Sequence, residues 1–231
     1  MSDAAQKLPI GVQSFREVIE DDYVYVDKTP LALELVRSGK GYFLSRPRRF
    51  GKSLFVNTLK ELFEGNGPLF RGLYIHDKWD WSQRHPVIVL DFAAGEIKNR
   101  AALDRRIYRV LGDNAERLGV TCDPLDNDIP GCFSDLIRHA RAEYGERVVV
   151  LVDEYDKPIL DSLEDPAQAA TVRDGLKNLY SVLKAADEHL QFVFMTGVTK
   201  FSKVSLFSGL NQLRDITLSP AFATLCGYTQ Q

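Results

Sequence analysis

Short uninterrupted apolar runs alternate along the chain with longer stretches in which apolar residues recur every three or four positions. GYFLS (41–45), VIVLDF (87–92), RVVVLVDE (147–154) and QFVFMT (191–196) are runs of the first kind. Their length and lack of polar alternation predict strands buried on both faces, as in a parallel sheet. Stretches of the second kind predict helices. One covers 53–64, with Phe55, Leu59, Leu62 and Phe63 on one face and Gly65 as its stop. A second covers 99–118, capped by Asn99, with Leu103, Ile107, Val110 and Leu111 at core spacing. Beyond a loop at 119–130, Phe133, Leu136, Ile137, Ala140 and Tyr144 form another stripe, ended by Gly145. A long helix over 166–189 opens on Asp165-Pro166, a cap followed by a good first-turn residue, and carries Val172, Leu176, Leu179, Tyr180 and Leu183. Strand followed by helix, repeated without internal sequence repeats or low-complexity linkers, predicts an α/β fold with a central parallel sheet flanked by helices.

The first strand runs into R-P-R-R-F-G-K-S, residues 46–53. A phosphate-binding loop reads G-x-x-x-x-G-K-[ST] between a strand and a helix, so its last three positions match and Arg46 stands where the first glycine belongs. The candidate loop comprises Arg46, Pro47, Arg48, Arg49, Phe50, Gly51, Lys52, Ser53 and Leu54. Gly51 would let the backbone approach phosphate, Lys52 would reach the β- and γ-phosphates, and the Ser53 hydroxyl would ligate Mg²⁺. Alone, GKS is also an ordinary tripeptide opening a helix. The third strand supplies the second half of the pattern. Asp153 and Glu154 stand at its carboxyl end, where α/β sheets bind ligands. Asp153 would join the Mg²⁺ shell and Glu154 would act as general base toward water. An acidic pair can be no more than a solvated strand end, but a GKS loop and a later apolar strand ending in Asp-Glu occur together far less often than either alone.

That adjacent glutamate suits phosphate-loop proteins in which the catalytic acid follows the metal-binding aspartate, the Walker B arrangement. In these an additional strand lies between the loop strand and the acidic strand, and 191–196 is the candidate. Its end, Thr196-Gly197-Val198-Thr199-Lys200, places hydroxyls where a polar group would sense the γ-phosphate. Thr196 is the preferred candidate over Thr199, although β-propensity alone also accounts for threonine there.

The 231 residues suffice for a full core, and 45% apolar with 26% charged residues is the composition of a globular protein. A net charge of -3 provides no global field favouring nucleic acid, while Arg46, Arg48, Arg49 and Lys52 form a local basic patch. Cys122, Cys132 and Cys226 are odd in number and widely spaced, which argues against a disulfide framework or zinc site and for a reducing compartment. The amino terminus lacks a signal pattern and the apolar runs are too short to cross a bilayer, so a cytoplasmic location without membrane attachment is expected. The carboxyl end, AFATLCGYTQQ, has no evident closing element, and a following domain is expected to be missing.

Taken in order, LPIGVQSFREVIEDDYVYVDKTPLALEL, SRPRRFGKSLFVNTLKELFEG, FRGLYI, VIVLDF, VVVLVDEYDKPI, FVFMTGVTKFSKVSLFSGLNQLRDITL and FATLCGYT resemble the AAA-ATPase-like proteins, a bacterial and archaeal group of P-loop ATPases. The resemblance covers nearly all of the chain, so 1–231 is expected to be one AAA-like ATPase unit with residues 1–40 as a leader packed on its core. It implies an ASCE-type sheet of order 5-1-4-3-2, ATP and Mg²⁺ as ligands, and an arginine-opened loop as a family trait. Many members carry a following PD-(D/E)XK nuclease-like domain, through which nucleic acid would be a partner. A homo-oligomer is a further expectation, in which Arg48 or Arg49 would act in trans; both also suit phosphate or a nucleic-acid backbone. An alternative class of function is a nucleotide-gated module that binds DNA or a partner with little turnover. Tyr25-Val26-Asp27-Lys28-Thr29 would either contact nucleotide or form a turn in which Thr29 caps a helix at 30–37. Asp156, Lys157, Lys200, Asn211 and Arg214 fall in these segments without assignable roles, Arg214 being a possible charge sensor. His76, His85, His139 and His189 are scattered and read as structural or surface residues.

Overall fold

The computed structural model describes residues 6–122, 128–199 and 213–227. Helices α1 (Phe15–Glu20) and α2 (Thr29–Ser38) lead into strand β1 (Gly41–Ser45), followed by α3 (Lys52–Phe63) and β2 (Val87–Asp91). Helices α4 (Arg100–Leu118) and α5 (Ile129–Tyr144) precede β3 (Val148–Asp153), and the short α6 (Lys157–Leu160) and long α7 (Pro166–Ala185) precede β4 (Leu190–Gly197). The last strand, β5 (Arg214–Asp215), is an edge of two residues. Every strand pairing is parallel and the order is β2-β3-β4-β1-β5. Counted from the β5 edge, the same arrangement reads 5-1-4-3-2. β4 therefore lies between the loop strand β1 and the acidic strand β3.

Alternation along the strands divides the core into two layers. Phe43, Val150, Val152, Val193 and Met195 meet α4, α5 and α7 on one face, while Tyr42, Leu44, Val149, Leu151, Phe192 and Phe194 meet α1, α2 and α3 on the other. Phe55 of α3 sets its ring 5.5 Å from Phe194, edge to face. Because the strands are parallel, their carboxyl ends share one edge of the sheet: Ser45, Asp91, Asp153, Gly197 and Asp215. By the same alternation, Asp91, Asp153 and Thr196 belong to the face that α3 covers.

Several elements depart from their predicted form. α7 stops at Ala185 rather than 189, where the chain tightens into a 3-10 turn, Asp187–His189, that delivers it directly to β4. α3 begins one residue early because Gly51, left-handed at φ 81°, already serves as its cap. Tyr144 is exposed, since it lies one turn past Ala140, the last residue of α5 to reach the core. Thr29 is not the cap of α2: Asp27 Oδ1 accepts from the Thr29 amide at 2.8 Å, and the Thr29 hydroxyl accepts from Ile75 N. Against the expectation from spacing, Cys122 and Cys132 are joined as a disulfide, their Cα atoms 5.1 Å apart. α5 lies against the segment leaving α4, a tertiary contact that sequence separation does not reveal; further along the same helix, His139 Nδ1 lies 2.8 Å from Thr121 O.

Candidate functional site

Six residues, 46–51, connect β1 to α3. The Arg46 amide donates to Gly197 O at 3.2 Å, continuing the sheet, and its guanidinium donates to Ser45 O at 3.2 Å and Thr217 O at 2.5 Å. The arginine at the opening position is thus turned toward the stretch after β5 and pins the loop's entrance to it. Arg49 (φ 65°) and Gly51 (φ 81°) are both left-handed, a backbone form that gathers successive N–H groups into a concavity suited to anions. Space does not demand a glycine at 51, because nothing lies within 4 Å of where a Cβ would sit; the conformation does. Pro47, Arg48, Arg49 and Phe50 are exposed, whereas Leu54 packs against the α3-side core.

Lys52 is 5% exposed and reaches back across the loop to donate from Nζ to Pro47 O at 3.1 Å. Ser53, in the first turn of α3, lies beside the Asp153 carboxylate, close enough for its hydroxyl to lower the pKa of that group. The loop and the acidic strand, far apart in sequence, therefore meet directly. Asp153 is 5% exposed, and burial pushes its pKa up to about 6, with the Asp91 and Glu154 charges adding to the rise and the Ser53 hydroxyl opposing it. Two adjacent hard oxygen donors, one of them an acid whose charged form burial penalises, fit a Mg²⁺ ion that would complete its shell with water and phosphate. Among the described residues, no group of three or more His, Cys, Asp or Glu forms a metal cage.

Glu154 follows in a left-handed turn (φ 51°) and donates its amide to Asp153 Oδ1 at 3.0 Å. For a glutamate that conformation costs about 1–2 kcal/mol, the kind of backbone strain that gathers at functional sites. Asp91 is a site neighbour not singled out from the sequence, although VIVLDF carries the same signal as the acidic strand, an apolar run ending in aspartate. It pairs in register with Asp153, and its carbonyl accepts from Arg106 Nη2 at 3.0 Å.

The two threonines at the end of β4 have different surroundings. Thr196 is fully buried beside Asp153, and its Oγ1 has no hydrogen-bond partner among the described residues. Thr199 instead donates both its amide and its hydroxyl to Asp156 Oδ2, each at 2.7 Å. Tyr155 completes this contact by donating its amide to Thr196 O and its hydroxyl to Thr199 O.

The other candidates of the sequence are distributed as follows. In the leader, Asp27 also accepts from Tyr74 N and Lys28 Nζ donates to Thr224 O, so this polar stretch ties α2 to the stretch after α3 and to the carboxyl-terminal segment. Arg214 pairs with Tyr42, three residues short of the end of β1, and so lies away from the sheet edge that carries the loop. Lys200 and Asn211 lie outside the described residues. Cys226 is buried close to Arg46, Lys52 and Lys28; burial raises its thiol to about 11 against the pull of those cations. His85 Nδ1 meets Arg147 O at 2.9 Å, His76 meets Asp77 at 2.9 Å, and His189 adjoins Arg141, all away from the loop. Among the described residues, no helix is long and apolar enough to cross a membrane.

Residues 9–207 match the family described as "Predicted AAA-ATPase". A curated relative, described as an uncharacterized protein in the vnfD 5' region of Azotobacter chroococcum mcd 1, is 57% identical over 226 residues, which cover 97% of this chain and 43% of the relative. The chain thus spans less than half of that relative's length. No solved structure matches it.

Proposed function

The chain belongs to the AAA-ATPase-like family, and from that premise we propose that it binds ATP with Mg²⁺ and hydrolyses it at the carboxyl edge of its sheet. The observation that carries the reading is that the Ser53 hydroxyl of the GKS loop lies beside the Asp153 carboxylate at the end of β3, close enough to lower its pKa. It joins the two halves of the motif in space. In this reading the amides of residues 48–51 and the Lys52 ammonium bind the phosphates, with Lys52 exchanging its bond to Pro47 O for a phosphate oxygen. Ser53 and Asp153 hold Mg²⁺, which when bound neutralises charge on the phosphates. Glu154, set apart from Asp153 by its left-handed turn, orients the attacking water and accepts its proton. Thr196 Oγ1, buried and unpartnered next to Asp153, donates toward the terminal phosphate.

Lys52→Ala is expected to abolish Mg-ATP binding in a calorimetric titration, while Glu154→Gln keeps binding and loses turnover. Wild-type affinity in Lys52→Ala would place the site elsewhere.

A further inference from the structure

Asp156 carries more polar contacts than any group assigned above, and it is fully buried. A carboxylate in that environment is costly unless its lone pairs are satisfied. Among the described residues, its donors come from one short stretch. Val198 N lies 3.2 Å from both carboxylate oxygens, and the Thr199 amide and hydroxyl reach Oδ2 at 2.7 Å. Tyr155 adds its two bonds to Thr196 O and Thr199 O. Gly197, between them, is pressed so closely that a Cβ would come within 2.4 Å of the Tyr155 ring and 2.5 Å of Asp156 Oδ1.

The opposite side of the same stretch is held by the entrance to the loop. The Ser45 hydroxyl donates to Val198 O at 2.8 Å, and the Arg46 amide donates to Gly197 O. Residues 196–199 thus form a physical bridge between the loop and the acidic pair, gripped at both edges.

We propose that Asp156 is a positioning residue for the hydrolytic reaction, locking residues 196–199 so that Thr196 and Glu154 keep a fixed relation to the loop. The proposal rests on the ATPase reading. Asp156 touches no substrate itself; it acts through Val198 and Thr199. Asparagine at 156 keeps the volume and one acceptor oxygen but removes the charge, and whichever way its amide turns it sets an NH2 donor against the Val198 amide, which lies 3.2 Å from both carboxylate oxygens. Lys52 and the amides of residues 48–51, which supply the main phosphate contacts in that reading, are not touched by Asp156, so affinity and turnover separate.

The test uses the whole protein, with Mg-ATP titration, steady-state phosphate release and urea unfolding measured on each variant. Asp156→Asn is expected to bind Mg-ATP within about threefold of wild type and to lose at least about tenfold in turnover, the scale of a small misplacement of reacting groups. Thr199→Val is expected to show the same split, Thr199→Ser to recover most of the loss, and the Asp156→Asn/Thr199→Val double variant to be no worse than Asp156→Asn alone. Wild-type turnover in Asp156→Asn overturns the inference. So does a fall in affinity, turnover and unfolding midpoint together, which marks a purely structural group. Lys52→Ala in the same assay separates the two readings: if it binds Mg-ATP like wild type, the nucleotide site is misplaced and this inference falls with it. If it loses binding while Asp156→Asn turns over normally, only this inference falls.

Discussion

At the scale of single residues, the acidic pair stores cost in two forms, buried charge at Asp153 and backbone strain at Glu154. A carboxyl whose pKa is raised by the fold holds its proton longer there than in the unfolded chain. Between the ordinary 3.8 and about 6, the native state therefore binds more protons, and stability falls as pH rises through that window. Below it the cost is absent; above it the cost is complete. Asp153→Asn removes this titration, so in Mg²⁺-free urea unfolding its advantage over wild type should grow from pH 4 to pH 7, reaching on the order of 2 kcal/mol. A difference that stays level across that range would contradict the buried-charge account. Glu154→Gly should relieve the left-handed strain, stabilising the protein by about 1 kcal/mol while removing turnover. Loss of stability in that variant would mean that the Glu154 side chain holds the turn together. That the GKS loop and the Asp153-Glu154 strand end would share one edge of the sheet was legible in the sequence, because each follows an uninterrupted apolar run of a parallel sheet. The Arg46 contacts were not, because Thr217 O and Gly197 O come from remote segments.

The elements show what local pattern can and cannot reveal. β1, β3 and β4, α3 and α4 follow from uninterrupted apolar runs and from three-to-four spacing, and their observed bounds shift by a residue or two at most. β5 has only two residues and gains its place from pairing with Tyr42 and Phe43, so no run of its own announces it. The bracing role of α6 was equally hidden. Lys157 Nζ donates to Gly95 O and Asp161 Oδ2, each at 2.6 Å, and the Ser162 hydroxyl donates to Ile97 O, which fastens the loop after β2 to the segment after β3. With Asp156 facing the end of β4, the stretch 155–162 braces the strand ends on both sides of β3. Gly197→Ala would force a methyl group into the Tyr155 ring, and a loss of about 2 kcal/mol is expected in chemical denaturation. An unchanged midpoint would show that the junction yields easily. Reducing the Cys122–Cys132 bond should lower stability by about 2–3 kcal/mol, read from unfolding with and without reductant. No change would show that the bridge does not constrain the unfolded chain.

Across the whole molecule, parallel strands place the loop, the acidic pair and the end of β4 on one edge, and two helical layers hold that edge in place. Family membership agrees with this arrangement, but the matched relative is itself uncharacterized and more than twice as long, so the proposed activity is argued from the site's chemistry. Binding without turnover would make the protein a nucleotide-gated module, and binding with turnover makes it an ATPase. Steady-state phosphate release from Mg-ATP, compared between wild type and Glu154→Gln, separates these outcomes most directly. Sustained release by wild type that falls at least about a hundredfold in Glu154→Gln, with ATP affinity preserved, is the predicted result. Equal release by both proteins, or none by wild type despite saturating Mg-ATP, would contradict it.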